Sequence, residues 1–292
     1  MTFDLTHARH DPAHCLAPGL FRSLKRGDRK RMKLDFTYSY GKKELIEFKG
    51  PEPLGADDLR ILQGLIAMAG PNGVILHPEP KTDAGVQLRL FLEPKWEAVQ
   101  QDALVVKGSY YRLAKEVGYS CPDSGKVAKQ IRECVERLWT VSVIVQSGSR
   151  RVGFRILSDY ASDTEEDRLF VALNPRIAEA ILGRRSHARI ELSEVRALQS
   201  DPARLIHQRL CGYIDPGKTH PSLIAIETLC GYAWPDSAND EAMKKRRQAA
   251  RRALGEIAGC GWVVEEVSKG KFRIGRPSLT ASGNVSAVKR ER

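Results

Sequence analysis

The sequence predicts an α+β fold of two tandem winged helix-turn-helix domains behind a basic N-terminal arm, and three observations predict it. The heptapeptide Gly118-Tyr119-Ser120-Cys121-Pro122-Asp123-Ser124 recurs as Gly231-Tyr232-Ala233-Trp234-Pro235-Asp236-Ser237. A short amphipathic stretch precedes each copy, with Leu113, Ala114 and Val117 in the first and Ile226, Leu229 and Cys230 in the second. A longer stretch of helical period follows each copy, then two β-rich runs, the second ending in Phe154-Arg155-Ile156 and in Phe272-Arg273-Ile274. A match in order across motif, helix and hairpin describes one duplicated unit of helix, turn, helix and β-hairpin.

The elements follow in chain order. Residues 1–33 form the arm; Arg22, Lys25, Arg26, Arg29, Lys30, Arg31 and Lys33 give it the composition of a solvated or interacting tail. The Gly50–Gly55 loop precedes a helix with Leu59, Leu62, Ile66 and Ala69 on one face, and Gly70-Pro71-Asn72-Gly73 stops it. Leu88, Leu90 and Leu92 alternate with Arg89, Phe91 and Glu93, as a strand requires. Residues Ser162 to Asp167 are an acidic loop, and Asn174-Pro175 opens a short helix. The resulting division is an N-terminal winged-helix domain over 34–175, a C-terminal one over 176–277, and a disordered tail over 278–292.

Composition narrows the function. At about 150 residues per domain, the 292 residues suit two domains. Lys and Arg number 47 against 36 Asp and Glu, a formal charge of +11. No apolar run is long enough to span a bilayer, and MTFDLTHARHDP lacks the basic-then-apolar order of a secretory signal. The expectation is a soluble cytoplasmic protein. The six cysteines form no Cys-x-x-Cys pair, which argues against a zinc or disulfide framework. His7, His10, His14 and Cys15 are the one local cluster and lie in an unpatterned segment, so no metal and no cofactor is expected.

The basic excess is concentrated on one helix. Between about Asp240 and Ala258, Met243, Ala250, Leu254 and Ile257 fall on one side at 100° per residue. Lys244, Lys245, Arg247, Gln248, Arg251 and Arg252 fall on the other, with no acid between Ala242 and Gly255. A solvated surface helix mixes both signs of charge. A face of cations with one glutamine suits DNA, where phosphate neutralisation supplies affinity and Arg or Gln reads base edges. The helix of the first copy, about Ser124 to Trp139, repeats the design with Val127, Ile131, Cys134, Val135 and Leu138 inward. Its outward residues are Lys126, Lys129, Gln130 and Arg137, diluted by Glu133 and Glu136. Hairpin tips at Arg150-Arg151 and at Lys269 and Lys271 are placed to reach phosphates.

Gly212-Tyr213-Ile214-Asp215-Pro216-Gly217-Lys218-Thr219 matches the spacing of a phosphate-binding loop. Such a loop follows a strand and opens a helix, whereas Leu205, Ile206, Arg209, Leu210 and Tyr213 before it have helical spacing and Pro221 follows. The segment is therefore a basic inter-helix turn. His187 is isolated, and so is His207, a surface or core-edge residue of its helix. Tyr110-Tyr111 belongs to the start of a helix. No catalytic constellation emerges, so an enzyme is not expected.

Long segments of the chain resemble one family. HDPAHCLAPGLFRSLKRG from His10, GPEPLGADDLRILQGL from Gly50, LRLFLEPKWEAV from Leu88, RLCGYIDPGKT from Arg209 and ETLCGYAWP from Glu227 look like the RepC replication initiators of IncQ-type plasmids. The resemblance implies a protein that binds directly repeated origin sequences (iterons) in double-stranded DNA and helps to open adjacent AT-rich DNA. The plasmid's helicase and primase would act there as partners. It also implies a likeness to iteron initiators built from two winged-helix domains, and a homodimer through the N-terminal unit, since initiators pass between dimer and monomer. A transcriptional repressor built from the same modules is the alternative. Two unequal units in one chain favour direct repeats over a palindrome, and so the initiator.

Overall fold

The N-terminal residues form the seam of the fold rather than a flexible arm. In the computed structural model, which describes residues 3–72, 74–76, 86, 103–163, 165–218 and 220–278, strand β1 (His7–His10) pairs antiparallel with residues 188–191 from the far half of the chain. Asp11 then caps helix α1 (Pro12–Leu16), accepting from the Ala13 amide at 2.6 Å and the His14 amide at 3.2 Å. Leu5, Ala8, Ala13, Cys15, Ala17, Leu20 and Phe21 are buried. These residues are mostly small and without helical period, so no core is visible at this stretch of the sequence. His10 and His14 are buried with them, and burial holds both imidazoles at about 3, hence neutral.

A single turn, α2 (Asp28–Arg31), leads to strands β2 (Leu34–Tyr40) and β3 (Glu44–Gly50), which pair from Leu34↔Gly50 to Tyr40↔Glu44. Phe36 and Phe48 stack across this pair at 5.2 Å between ring centroids. Helix α3 (Ala56–Asn72) is the core helix of the molecule. Leu59, Ile61, Leu62, Leu65, Ile66 and Met68 are all buried, so it is enclosed all round where the sequence suggested one apolar face. Burial of each such side chain contributes about 1.5–3 kcal/mol. Strands β4 (Val74–Leu76) and β5 (Ala103–Gly108) follow, while the predicted strand at Leu88–Leu92 lies outside the described residues.

The first repeat contains α4 (Tyr110–Glu116), capped by Ser109, and α5 (Gly125–Thr140), capped by Ser124. Its hairpin is β6 (Ser142–Ser147) and β7 (Arg150–Arg155), turning at Gly148, whose φ is +60°. Strands β8 (Leu157–Asp163) and β9 (Arg168–Leu173) come next, then α6 (Pro175–Ile181), capped by Asn174. Strand β10 (Ala188–Glu191), α7 (Leu192–Ala197) and α8 (Asp201–Tyr213) lead into the second repeat. That repeat is β11 (Ser222–Ala225), α9 (Ile226–Ala233), α10 (Asp240–Gly259) capped by Asn239, and the hairpin β12 (Val263–Ser268) with β13 (Lys271–Gly275).

The two repeats share helices and hairpin but differ in strand pairing. In the second, β11 joins the hairpin in the order β11-β13-β12. In the first, the strand before the helices, β5, leaves for a separate sheet of order β4-β5-β9-β8, and the hairpin joins β2-β3-β6-β7 instead. A domain boundary at 175/176 does not describe the packing. Helix α6 packs on β1, α3 and β5, and Arg176 bonds Asp11 at 2.8 Å and Glu44 at 2.6 Å. Helix α8 packs in turn on α3 and α1, and Gln63 donates to Gln208 at 2.6 Å. Both halves contribute to one continuous buried cluster. Of the expected tail, only Ser278 lies within the described residues. Among those residues no helix is long and apolar enough to cross a membrane.

Candidate nucleic-acid interface

Helix α10 buries Ala250, Ala253, Leu254 and Ile257 and exposes Lys244, Lys245, Gln248, Arg251 and Arg252, with Arg247 partly exposed beside them. Four of these predicted residues are cations on one open face with Gln248. Three cations are oriented by acids: Lys245 by Glu241 one turn earlier in α10 at 2.6 Å, Arg247 by Glu227 of α9 at 2.9 Å, and Arg251 by Glu266 of β12 at 2.9 Å. Exposed pairs of this kind contribute only about 0.2–1 kcal/mol, so a phosphate can take the acid's place. Glu266 also accepts the Gly270 amide at 2.8 Å, and these two hydrogen bonds hold its carboxyl below the usual range. The hairpin tip is thereby joined to the helix face. Lys269 and Lys271 are exposed at that tip, and the Ile226 amide donates to the Gly270 carbonyl at 2.8 Å.

The first unit departs from its prediction. Lys126 and Lys129 are exposed on α5, but Gln130 donates to Asp57 of α3 at 2.8 Å. Arg137 turns inward: its side chain is 14% exposed and its Nε donates to the fully buried Asp58 at 2.8 Å. The helical wheel put Arg137 outward because it cannot show the start of α3 arriving on that side. Arg137 is accordingly a structural residue. Arg150 and Arg151 are exposed at the hairpin tip, Arg151 paired with Glu47 at 2.9 Å. Lys42 and Lys43, which no sequence pattern marks, are exposed beside that tip, because Glu44 pairs with Ser147 across the sheet. Only strand register reveals this, since the two tips are about a hundred residues apart in sequence.

The buried titratable groups are structural. His207 is buried, not at the surface; its Nε2 lies 2.6 Å from Glu194, and Trp262 donates to the other carboxylate oxygen at 3.0 Å. Burial lowers the His207 pKa, but Cys211 beside the ring and the Glu194 carboxylate outweigh it and push the imidazolium up to about 10. Glu194, His207 and Cys211 form the one buried group of metal-ligand type among the described residues. The Cys211 sulfur lies 3.4 and 4.0 Å from the two ring nitrogens, beside the imidazole, and both carboxylate oxygens are already bonded. This is an ion pair rather than a ligand set. At Gly212–Lys218 a helix precedes the turn and a strand follows it, the reverse of a phosphate-binding loop, and the Gly217 amide is spent on the carbonyls of Arg276 and Pro277.

The family model of replication protein C (RepC) matches residues 2–278. No curated protein matches the chain. Among solved structures, the crystal structure of selenomethionine derivatives of domains 2 and 3 of RctB is similar at a TM-score of 0.58 and 13% identity. The match covers 90% of this chain and 96% of that one. A second crystal structure of those domains, over RctB residues 155–483, gives 0.53 and 12%, covering 85% and 83%. At such identity the likeness speaks to the fold alone.

Proposed function

The chain belongs to the RepC replication protein family, and from that premise we propose that it is a plasmid replication initiator that binds iterons through two winged-helix units. Each unit supplies a short helix, a turn, a long helix and a hairpin with a basic tip, the parts that mode uses. One observation carries the reading. The face of α10 opposite its buried residues, together with Lys269 and Lys271 of its wing, is a single exposed cationic surface containing one glutamine. In the first unit Lys126, Lys129, Arg150 and Arg151 play the same part. Cations contact phosphates and set position, whereas Gln248 and the better-aimed arginines of α10 face base edges.

The work is mechanical rather than catalytic. Two long helices enter successive major grooves on one face of an iteron, about one helical turn apart. Loading of several copies, as monomers released from a homodimer, bends the origin and favours unpairing of nearby AT-rich steps, which deform at low cost. The helicase and primase of the plasmid then act on the opened strands in the cytoplasm. The test is a salt-titrated binding assay on direct-repeat origin DNA against a scrambled duplex. Wild type should bind the repeats selectively with a steep slope, and Arg247→Ala and Arg251→Ala should lose that selectivity. Equal binding to both duplexes would overturn the initiator reading. Opening is tested separately: saturated supercoiled origin DNA should acquire permanganate-reactive thymines, and their absence would remove that step.

A further inference from the structure

We propose that residues 22–33 are a fixed basic strap that lies along the DNA backbone between the two helix–turn–helix units. This rests on the DNA-binding reading above and adds a contact surface to it. Two sets of ties hold the strap. At its start the Arg22 guanidinium pairs with the Asp236 carboxylate, and the Ser23 amide donates to the Ala233 carbonyl at 2.8 Å. Just before them Gly19, at φ +82°, passes so close to Pro235 that a Cβ would lie 3.2 Å from its Cγ. All three contacts fall on the last residue of α9 or on the turn that joins it to α10. At the far end Arg29 donates to the Pro53 carbonyl at 2.8 Å and to Asp58 at 2.9 Å. Asp58 is the same carboxylate that holds Arg137 of α5. The strap therefore runs from the turn of the second unit to the flank of the long helix of the first.

Its local fold decides which cations remain outside. Gly27 takes φ +92°, and the Asp28 carboxylate accepts the Lys25 amide at 2.8 Å, which winds the chain into the single turn of α2. That turn sends Arg29 inward and leaves Lys25, Arg26, Lys30 and Arg31 exposed. None of those four has a carboxylate partner among the described residues. On α10, by contrast, Lys245, Arg247 and Arg251 each have one. Four exposed cations in one short stretch, with Asp28 the one acid among them and none of the four in an ion pair, repel one another, a cost that a polyanion relieves. One end is tied to the turn before α10 and the other to the carboxylate that holds α5, so on the DNA-binding reading the polyanion this stretch meets is the phosphate backbone between those helices.

The quadruple variant K25A/R26A/K30A/R31A tests the strap, since it leaves the ties at Arg22 and Arg29 in place. On a random-sequence duplex of about 30 base pairs, the slope of log K against log[salt] should become shallower by about 3–4, at roughly 0.9 per phosphate contact. On origin-repeat DNA, hydroxyl-radical footprinting should show the protection between the two flanking protected segments lost and the flanking segments kept. Each half-variant, K25A/R26A or K30A/R31A, should give about half the slope change, and the charge-keeping swap K25R/R26K/K30R/R31K should restore the wild-type slope. A folded quadruple variant with the wild-type slope and an unchanged central footprint would overturn the strap and leave the DNA-binding reading standing. Wild-type binding that is indifferent to salt would overturn both.

Discussion

At Arg137 a helical wheel and the folded chain give opposite answers, and the difference is a measurable one. The wheel groups it with Lys126 and Lys129, whereas the structure spends its guanidinium on Asp58, a carboxylate shared with Arg29 and the Gly55 amide. Arg137→Ala should cost about 1.5–3 kcal/mol in urea unfolding, the range of a hydrogen bond to a charged group, and leave the DNA affinity of the folded fraction unchanged. Unchanged stability with weakened DNA binding would restore the wheel's assignment. His207 carries a second residue-scale expectation. Its folded pKa of about 10 lies above its ordinary 6.5, so its contribution is complete below pH 6.5 and is lost as pH rises from there through about 10. Glu194 is shifted the other way: burial raises it, but the bonds from His207 and Trp262 prevail, and its share is lost as pH falls below its ordinary 4.5. The melting temperature of the wild type should fall between pH 7 and 10, and His207→Gln should flatten that fall. Equal slopes would mean that the pair does not titrate with folding. The cations of α10 were legible because an open face needs no knowledge of neighbours. Arg137, Gln130 and His207 were not, because what each faces comes from a distant part of the chain.

At the scale of elements, the repeat was legible and the sheets were not. A duplicated turn such as Gly118–Ser124 and Gly231–Ser237 is visible by self-comparison, and the flanking helices follow from periodicity. Which strands pair is another matter, since β5 and β11 occupy matching places in the two repeats yet join different sheets. Helix α3 was legible as a helix but not as the element around which the rest packs. Gly64 marks the closest approach on it: a Cβ there would come within 2.4 Å of Val117 Cγ1 and 2.6 Å of Leu113 Cδ1. Gly64→Ala should therefore force α3 and α4 apart and cost about 1–3 kcal/mol, the range for overpacking a filled core. An unfolding midpoint equal to wild type would show that the contact yields freely. The hairpin of the second unit supports a different measurement. If Lys269 and Lys271 touch phosphates only, alanine at both should weaken binding to all sequences alike and lower the salt slope by about 2, with the preference for the repeats intact. A change in sequence preference instead would make the tip a reader of bases.

At the scale of the molecule, the coupling of the two units would decide, for the proposed iteron binding, what kind of DNA site they can use. A flexible arm and a boundary at 175/176 would leave them as beads on a tether, free to follow sites at several spacings. The structure joins them at β1 with β10, at Gln63 with Gln208, through Arg176 with Asp11 and Glu44, and along the strap from Asp58 to Asp236. Separating the units would expose part of a single core, so their spacing is a property of the fold and not of a linker. The consequence concerns helical phase. Insertion of about 5 base pairs between the two half-sites of an iteron turns the second groove to the opposite face of the duplex, and insertion of about 10 restores the face but moves it roughly 34 Å along the axis. Tethered units would recover affinity with the longer insertion. Units fixed on one core should recover it with neither, and each insertion should reduce binding to the level of a single half-site. Recovery at about 10 base pairs would show that the units separate when DNA binds, and that the shared core is a property of the free protein alone.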